Sequence, residues 1–188
     1  MERSTKILLV VGGSALALGI LAVAFRKKAV AFLLEAHHEK HIKQLHPTVQ
    51  DTFRRFIDAI EKKGWKVLVT SSYRSWADQE RLNKEGYEYA VSTGGSPHNY
   101  GFALDINLQK GVKLVRMAST NKEWEETGAP AIARMLGIRW GGSFTGTHKG
   151  DLVHFDLLPL PVSELKKLAV AQFGSNPANI QGNSVRLT

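Results

Sequence analysis

The chain contains no cysteine among its 188 residues. Disulfides, thiolate metal sites and cysteine nucleophiles are therefore excluded, while the absence fits many compartments and selects none. No internal repeat is visible, and no Lys/Arg block with interleaved aromatics occurs, so nucleic acid is not an expected partner. The net charge of +8 does not alter this. Half of it lies in residues 1–28, where Arg3, Lys6, Arg26, Lys27 and Lys28 face only Glu2. The remainder is mildly basic, compatible with weak attraction to an anionic wall or membrane surface.

Charge is also missing locally. Ile7 to Phe25 is a run of nineteen residues without a charged side chain, bracketed by Lys6 and by Arg26-Lys27-Lys28. That length is about what a helix needs to cross the hydrocarbon core of a bilayer. Residues 1–28 are thus expected to form a transmembrane or signal-anchor segment, an apolar helix ahead of the main domain. Ala22-Val23-Ala24 offers an alternative, a signal-peptidase site. Arg26, Lys27 and Lys28 slightly outweigh Arg3 and Lys6, which favours a cytoplasmic carboxy-terminal side, but the imbalance is too small to fix orientation.

Residues 29–46 read as a helical linker closed by Pro47, with His37, His38 and His41 crowded in its middle. His37 and His41 stand at i and i+4 and so share a helix face; a solvated face is the simpler reading than a metal site. Residues 47–173 carry the patterns of one α+β domain. An amphipathic helix is expected from Thr48 to Lys63, with Thr48 and Asp51 resembling a capping box. A strand follows from Trp65 to Thr70, then a polar turn with Arg74, then a short helix capped by Ser75 and holding Gln79. One helix is expected over Thr120 to Gly137, a strand-and-loop over Ile138 to Phe144, a last strand over Asp151 to Leu157, and a helix capped by Ser163. Residues 174–188 form a polar carboxy-terminal tail, expected to be poorly ordered.

The chemistry centres on Ser96-Pro97-His98-Asn99-Tyr100-Gly101-Phe102-Ala103-Leu104-Asp105-Ile106-Asn107. His98 and Asp105 are seven residues apart with Gly101 at the bend between them. Phe102, Leu104 and Ile106 alternate with Ala103, Asp105 and Asn107, so the two sets face opposite sides of a strand. An aspartate inside such a strand is costly to bury unless a cation meets it. A metal ion is the obvious candidate. Catalytic zinc sites use three protein ligands and keep a fourth position for water. His154 is the best third ligand, because it sits on an expected strand beside another acid. His148 is not excluded, but its Gly/Thr-rich loop positions a ligand less well.

Asp151 lies three residues before His154 and faces the other side of a straight strand. Gly150 makes a bend between them plausible, and Asp151 would then serve as general base. Two imidazoles and one carboxylate leave a divalent ion at +1, and Arg74 adds a second positive charge for an oxyanion or a substrate carboxylate.

SSYRS with Gln79, SPHNYGFALD, GIRWGGSF and DLVH, in that order, resemble the zinc peptidoglycan peptidases of the D-alanyl-D-alanine carboxypeptidase and L-alanyl-D-glutamate endopeptidase kind. That group includes VanY-type enzymes and several phage endolysins, and shares its fold with the amino-terminal domain of Sonic hedgehog. The resemblance runs from about Pro47 to Leu158. It implies a small antiparallel sheet flanked by helices, and one zinc ion held by His98, Asp105 and His154. It implies Asp151 as the catalytic base and Arg74 as the arginine that binds substrate or stabilises the transition state. Ser96, Gln79 and Trp140 fall on further motif positions, expected to serve substrate binding.

Trp140-Gly141-Gly142 resembles the endopeptidase branch, which cuts the L-Ala-D-Glu bond of the stem peptide. The carboxypeptidase branch more often has tryptophan directly before the last histidine, where this chain has Val153. The expected partners are a peptidoglycan stem peptide and, through the amino-terminal segment, a membrane. The catalytic domain is expected to face the cell wall or periplasm, with export by a signal peptide or carriage by a phage or tail-like particle as alternatives. A non-catalytic zinc-bearing wall-binding module is the competing class, and Asp151 and Arg74 argue against it.

Overall fold

A computed structural model describes residues 26, 28–86, 91–145 and 150–188, in two compact units, 1–37 and 38–188. A first helix, α1, covers residues 28–42, and within the first unit Val30, Phe32 and Leu33 are exposed. The charge-free run from Ile7 to Phe25 lies outside the described residues. Among those that are described, no helix is long and apolar enough to cross a membrane.

The second unit is built on five strands: β1 (Lys66–Ser71), β2 (Ala103–Lys110), β3 (Lys113–Val115), β4 (Arg139–Trp140) and β5 (His154–Asp156). All pairings are antiparallel, in the order β1-β2-β5-β4, with β3 a short hairpin partner of β2. The alternation on β2 decides which face is core. Leu104, Ile106 and Leu108 are fully buried, while Asp105 and Asn107 on the opposite face keep partial access to solvent.

Helix α2 (Pro47–Glu61) lays Val49, Phe53, Phe56, Ile57 and Ile60 into the core, a stripe at helical spacing. The Phe56 and Phe155 rings lie 4.9 Å apart there. Its cap differs from the expected Thr48–Asp51 box, since the ring Nδ1 of His46 accepts the Thr48 amide. Helix α3 (Trp76–Lys84) starts as expected, with Ser75 accepting the Asp78 amide. The single helix expected from Thr120 is two, α4 (Asn121–Thr127) and α5 (Ala129–Met135), broken at Gly128. Helix α6 (Val162–Phe173) begins after Pro161 with no side-chain cap, so Ser163 is not its N-cap.

The last strand is shorter than expected, because residues 151–153 form a turn. The carboxy-terminal segment is packed rather than loose. Ile180 and Val185 are buried in the core and Leu187 packs against it, apolar residues that its polar composition conceals.

Candidate metal centre

Three elements deliver three atoms able to ligate a metal. Register does the first part: Asp105 on β2 stands directly opposite His154 on β5, which brings their side chains together on the solvent-side face. A 3-10 turn at Pro97–Tyr100 delivers His98. Ser96 caps it, accepting the His98 amide at 3.3 Å, and Asn99 returns a bond to the Ser96 amide. Gly101, in the left-handed conformation, turns the chain into β2.

His98 Nε2, Asp105 Oδ1 and His154 Nδ1 form a nearly equilateral triangle with edges of 3.1, 3.1 and 3.2 Å. The far nitrogens define the protonation. His98 Nδ1 bonds the Ser72 carbonyl, which only accepts, so that nitrogen carries the proton. His154 Nε2 lies 3.1 Å from Asp156 Oδ2 and donates to it. In the neutral rings both inward nitrogens are therefore lone pairs, facing a carboxylate oxygen. Three acceptors converge with no donor between them unless a cation occupies the centre. Tetrahedral zinc, with bonds of about 2.0–2.1 Å, spaces its ligand atoms about 3.3 Å apart, so the triangle fits an ion of that size.

The electrostatics agree. Burial alone pushes the Asp105 carboxyl up, but His98 and His154 outweigh it and hold the group far below the usual carboxylate range. Burial pushes His154 down, but hydrogen bonds to Asp105 and Asp156 raise it to about 10. Asp156 is fully buried. Desolvation pushes its carboxyl up, while His154 and Arg139 bring it below its ordinary value. Arg139 grips it with two bonds, Nε to Oδ1 at 2.6 Å and Nη2 to Oδ2 at 2.8 Å. Without an ion, a proton on His154 supplies the positive charge the centre demands.

Asp151 lines the same cleft as the three ligands, together with Arg74, Ser96 and Trp140. The bend expected at Gly150 exists. Gly150 has φ +86°, and the His154 amide donates to the Asp151 carbonyl at 3.1 Å across the turn. Trp140 braces that turn, its Nε1–H donating to the Leu152 carbonyl at 2.8 Å. Arg74 Nη1 donates to Gln79 Oε1 at 3.0 Å. Gln79 is fully buried and spends its amide group on the Val91 carbonyl, so the substrate contact expected of it is corrected to a positioning contact on Arg74.

His148 lies outside the described residues. His38 and His41 are engaged elsewhere, with the Val67 carbonyl at 2.8 Å and the Ser72 hydroxyl at 3.0 Å. Among the described residues, His98, Asp105 and His154 are the group able to hold a metal. Sequence reasoning missed Ser72 and Arg139, and noticed Asp156 only as a neighbouring acid. For Asp156 a signal exists: it stands two residues from His154 on one strand, hence on the same face.

Asp156→Asn is expected to weaken metal affinity about 10–100-fold, because the neutral amide no longer orients and polarises the His154 ring. A competition titration against a chromophoric chelator measures it. Gly141→Ala places a Cβ 2.0 Å from the Asp151 carbonyl, so the 151–153 turn must move. That overpacking costs about 1–3 kcal/mol, read as a lower Tm, and turnover falls with it.

A cleft with convergent lone pairs, a further acid and a held guanidinium is that of a metal-dependent hydrolase. The sequence profile described as D-alanyl-D-alanine carboxypeptidase, of the M15 peptidases, matches residues 90–157. Over 129 residues the chain is 31% identical to the peptidoglycan L-alanyl-D-glutamate endopeptidase CwlK of Bacillus subtilis (strain 168), spanning 61% of this chain and 74% of that protein. The chain belongs to the M15 peptidase family. Among solved structures, the L-Ala D-Glu endopeptidase ChiX of Serratia marcescens aligns at a TM-score of 0.47 with 18% identity, covering 74% of this chain and 92% of that one. The D,D-pentapeptidase VanY from a VanB-type vancomycin resistance cassette, solved with Zn(II), aligns at 0.46 with 16% identity, covering 64% and 82%.

Proposed function

We propose that the protein is a one-zinc metallopeptidase that hydrolyses peptidoglycan stem peptides at the L-Ala-D-Glu bond. The observation that carries this is the triangle of bare lone pairs on His98, Asp105 and His154, open to a cleft of about 1170 Å³ that Asp151 and Arg74 also line. When bound there, zinc supplies Lewis acidity, polarising a carbonyl and lowering the pKa of water to about 7. Asp151 takes the proton from the attacking water and returns it to the leaving amine. Arg74, held by Gln79, presents N–H donors where negative charge develops on the scissile carbonyl oxygen. Ser96 acts through His98, whose turn it caps, and Trp140 acts through the Asp151 turn. Arg134 adds a cationic group to the cleft, suited to the free carboxylate of a D-glutamyl residue.

The L-Ala-D-Glu bond is favoured by the likeness to CwlK and by Trp140-Gly141-Gly142. D-Ala-D-Ala carboxypeptidase activity is the second reading, favoured by the description of the matching family profile. Mass spectrometry of digested muropeptides separates them. Endopeptidase cleavage yields peptides beginning with D-Glu, whereas carboxypeptidase cleavage releases free D-alanine. Zinc binding with neither product would support a wall-binding module instead.

We place the domain on the wall side of a membrane, anchored through Ile7 to Phe25. The charge-free length of that run and the exposed Val30, Phe32 and Leu33 support the anchoring, and the wall-side placement follows from the stem-peptide substrate proposed above. Protease added to spheroplasts removes the domain if the placement is right and spares it if the domain is cytoplasmic. Recovery of the protein in phage or tail-like particles would point to the other carrier.

A further inference from the structure

Contacts of residues 182–185 in the carboxy-terminal segment gather around the turn that carries His98. Gly182 seats so closely on that turn that a Cβ would lie 1.8 Å from the Asn99 carbonyl oxygen and 2.9 Å from its carbon. Only backbone stands in the way there, so no side chain can swing aside. The Gly182 backbone also hydrogen-bonds the Tyr73 side chain, on the loop between Ser72 and Arg74.

The next residue continues the pattern. Asn183 Nδ2 donates to the Gln44 carbonyl at 3.0 Å, and Gln44 Oε1 accepts the Ser72 hydroxyl at 2.8 Å. The Ser72 carbonyl in turn accepts the proton of His98 Nδ1. Two residues further, the Val185 carbonyl lies 3.0 Å from His46 Nε2. His46 stacks on Phe102 at 4.7 Å and donates its amide to the Gly101 carbonyl at 2.9 Å.

We propose that residues 182–185 form a positioning clamp for the metal-ligating turn, fixing His98 by a backbone seat on Asn99 and a hydrogen-bond path through Asn183, Gln44 and Ser72. The seat fixes the backbone of the turn beside His98, and the path ends on its imidazole. The clamp holds the bare Nε2 of His98 in the triangle, and the path keeps the proton on the outer nitrogen. A metal ligand free to rotate loses affinity even when the fold is retained. The inference rests on His98, Asp105 and His154 being the metal ligands, and the experiment keeps the two claims separate.

The test compares full-length wild type with Gly182→Ala, Asn183→Ala and Gln44→Ala. Leu165→Ala, a truncation of a buried α6 residue, controls for general destabilisation. Zinc dissociation constants come from chelator competition, and the cobalt-substituted proteins report ligand geometry through their visible absorption. Gly182→Ala is expected to weaken zinc binding at least tenfold and to alter the cobalt spectrum. Asn183→Ala and Gln44→Ala give smaller shifts in the same direction, and Leu165→Ala lowers Tm while leaving both readouts unchanged. If the clamp variants lower Tm but match the control in affinity and spectrum, the segment is structural only and the proposal is overturned. If Leu165→Ala moves both readouts as far as they do, it is overturned as well. Wild-type protein that takes up no zinc would instead defeat the metal-site reading beneath it.

Discussion

Asp151→Asn is expected to bind zinc as tightly as the wild type and to turn over substrate about 10²–10⁴-fold more slowly, the range a positioned general base contributes. Asparagine has nearly the same shape, so the turn should survive the exchange. That turn is set by the backbone: the His154 amide donates to the Asp151 carbonyl, and the same carbonyl packs against Gly141. What the amide cannot do is accept a proton from the attacking water. The measurement is a single-turnover rate on a muropeptide, with zinc content determined on the same preparation. Unchanged turnover with full zinc occupancy would remove Asp151 from the mechanism.

Loss of the ion should have the larger effect. Chelation is expected to reduce wall digestion to background and added zinc to restore it. Asp105→Ala should behave as permanently stripped protein, because it removes the one anionic corner of the triangle and leaves two neutral imidazoles to hold a dication. Stability follows the same logic. In stripped protein His154 is raised from an ordinary 6.5 to about 10. A folded-state pKa raised in this way contributes stability that is fully present below pH 6.5 and is lost as the pH rises through 10. A zinc ion held by His98, Asp105 and His154 would stand in place of that proton and supply the positive charge. The Tm of stripped protein should therefore fall between pH 6.5 and 10, while zinc-loaded protein stays higher and flatter. Equal slopes in the two melting series would contradict this account of the centre.

Much of the centre is legible in the sequence. His98 and Asp105 are seven residues apart, and the alternation through Phe102, Leu104 and Ile106 turns Asp105 away from the core. Gly150 marked the bend that brings Asp151 and His154 to one cleft. The misreadings have physical causes. Thr48 and Asp51 have the residue types of a capping box, yet His46 supplies the cap, because Pro47 occupies the first helical position and His46 directly precedes it. Gln79 looked like a contact for substrate; its burial makes it a support for Arg74, and burial depends on neighbours the local pattern does not contain. The tail reads as loose because its few apolar residues among fifteen carry no periodicity, although Ile180 and Val185 each find a place in the core.

By itself the sequence determined which side chains carry atoms able to hold a metal and that Asp105 faces away from the core, since a side-chain period of two is a local property of the backbone. Only the tertiary structure decided what holds those atoms. The Ser72 carbonyl is 26 residues from His98, Arg139 is 17 from Asp156, and Val185 is 139 from His46. Contacts over such separations arise from strand register and packing, and no periodicity along the chain records them.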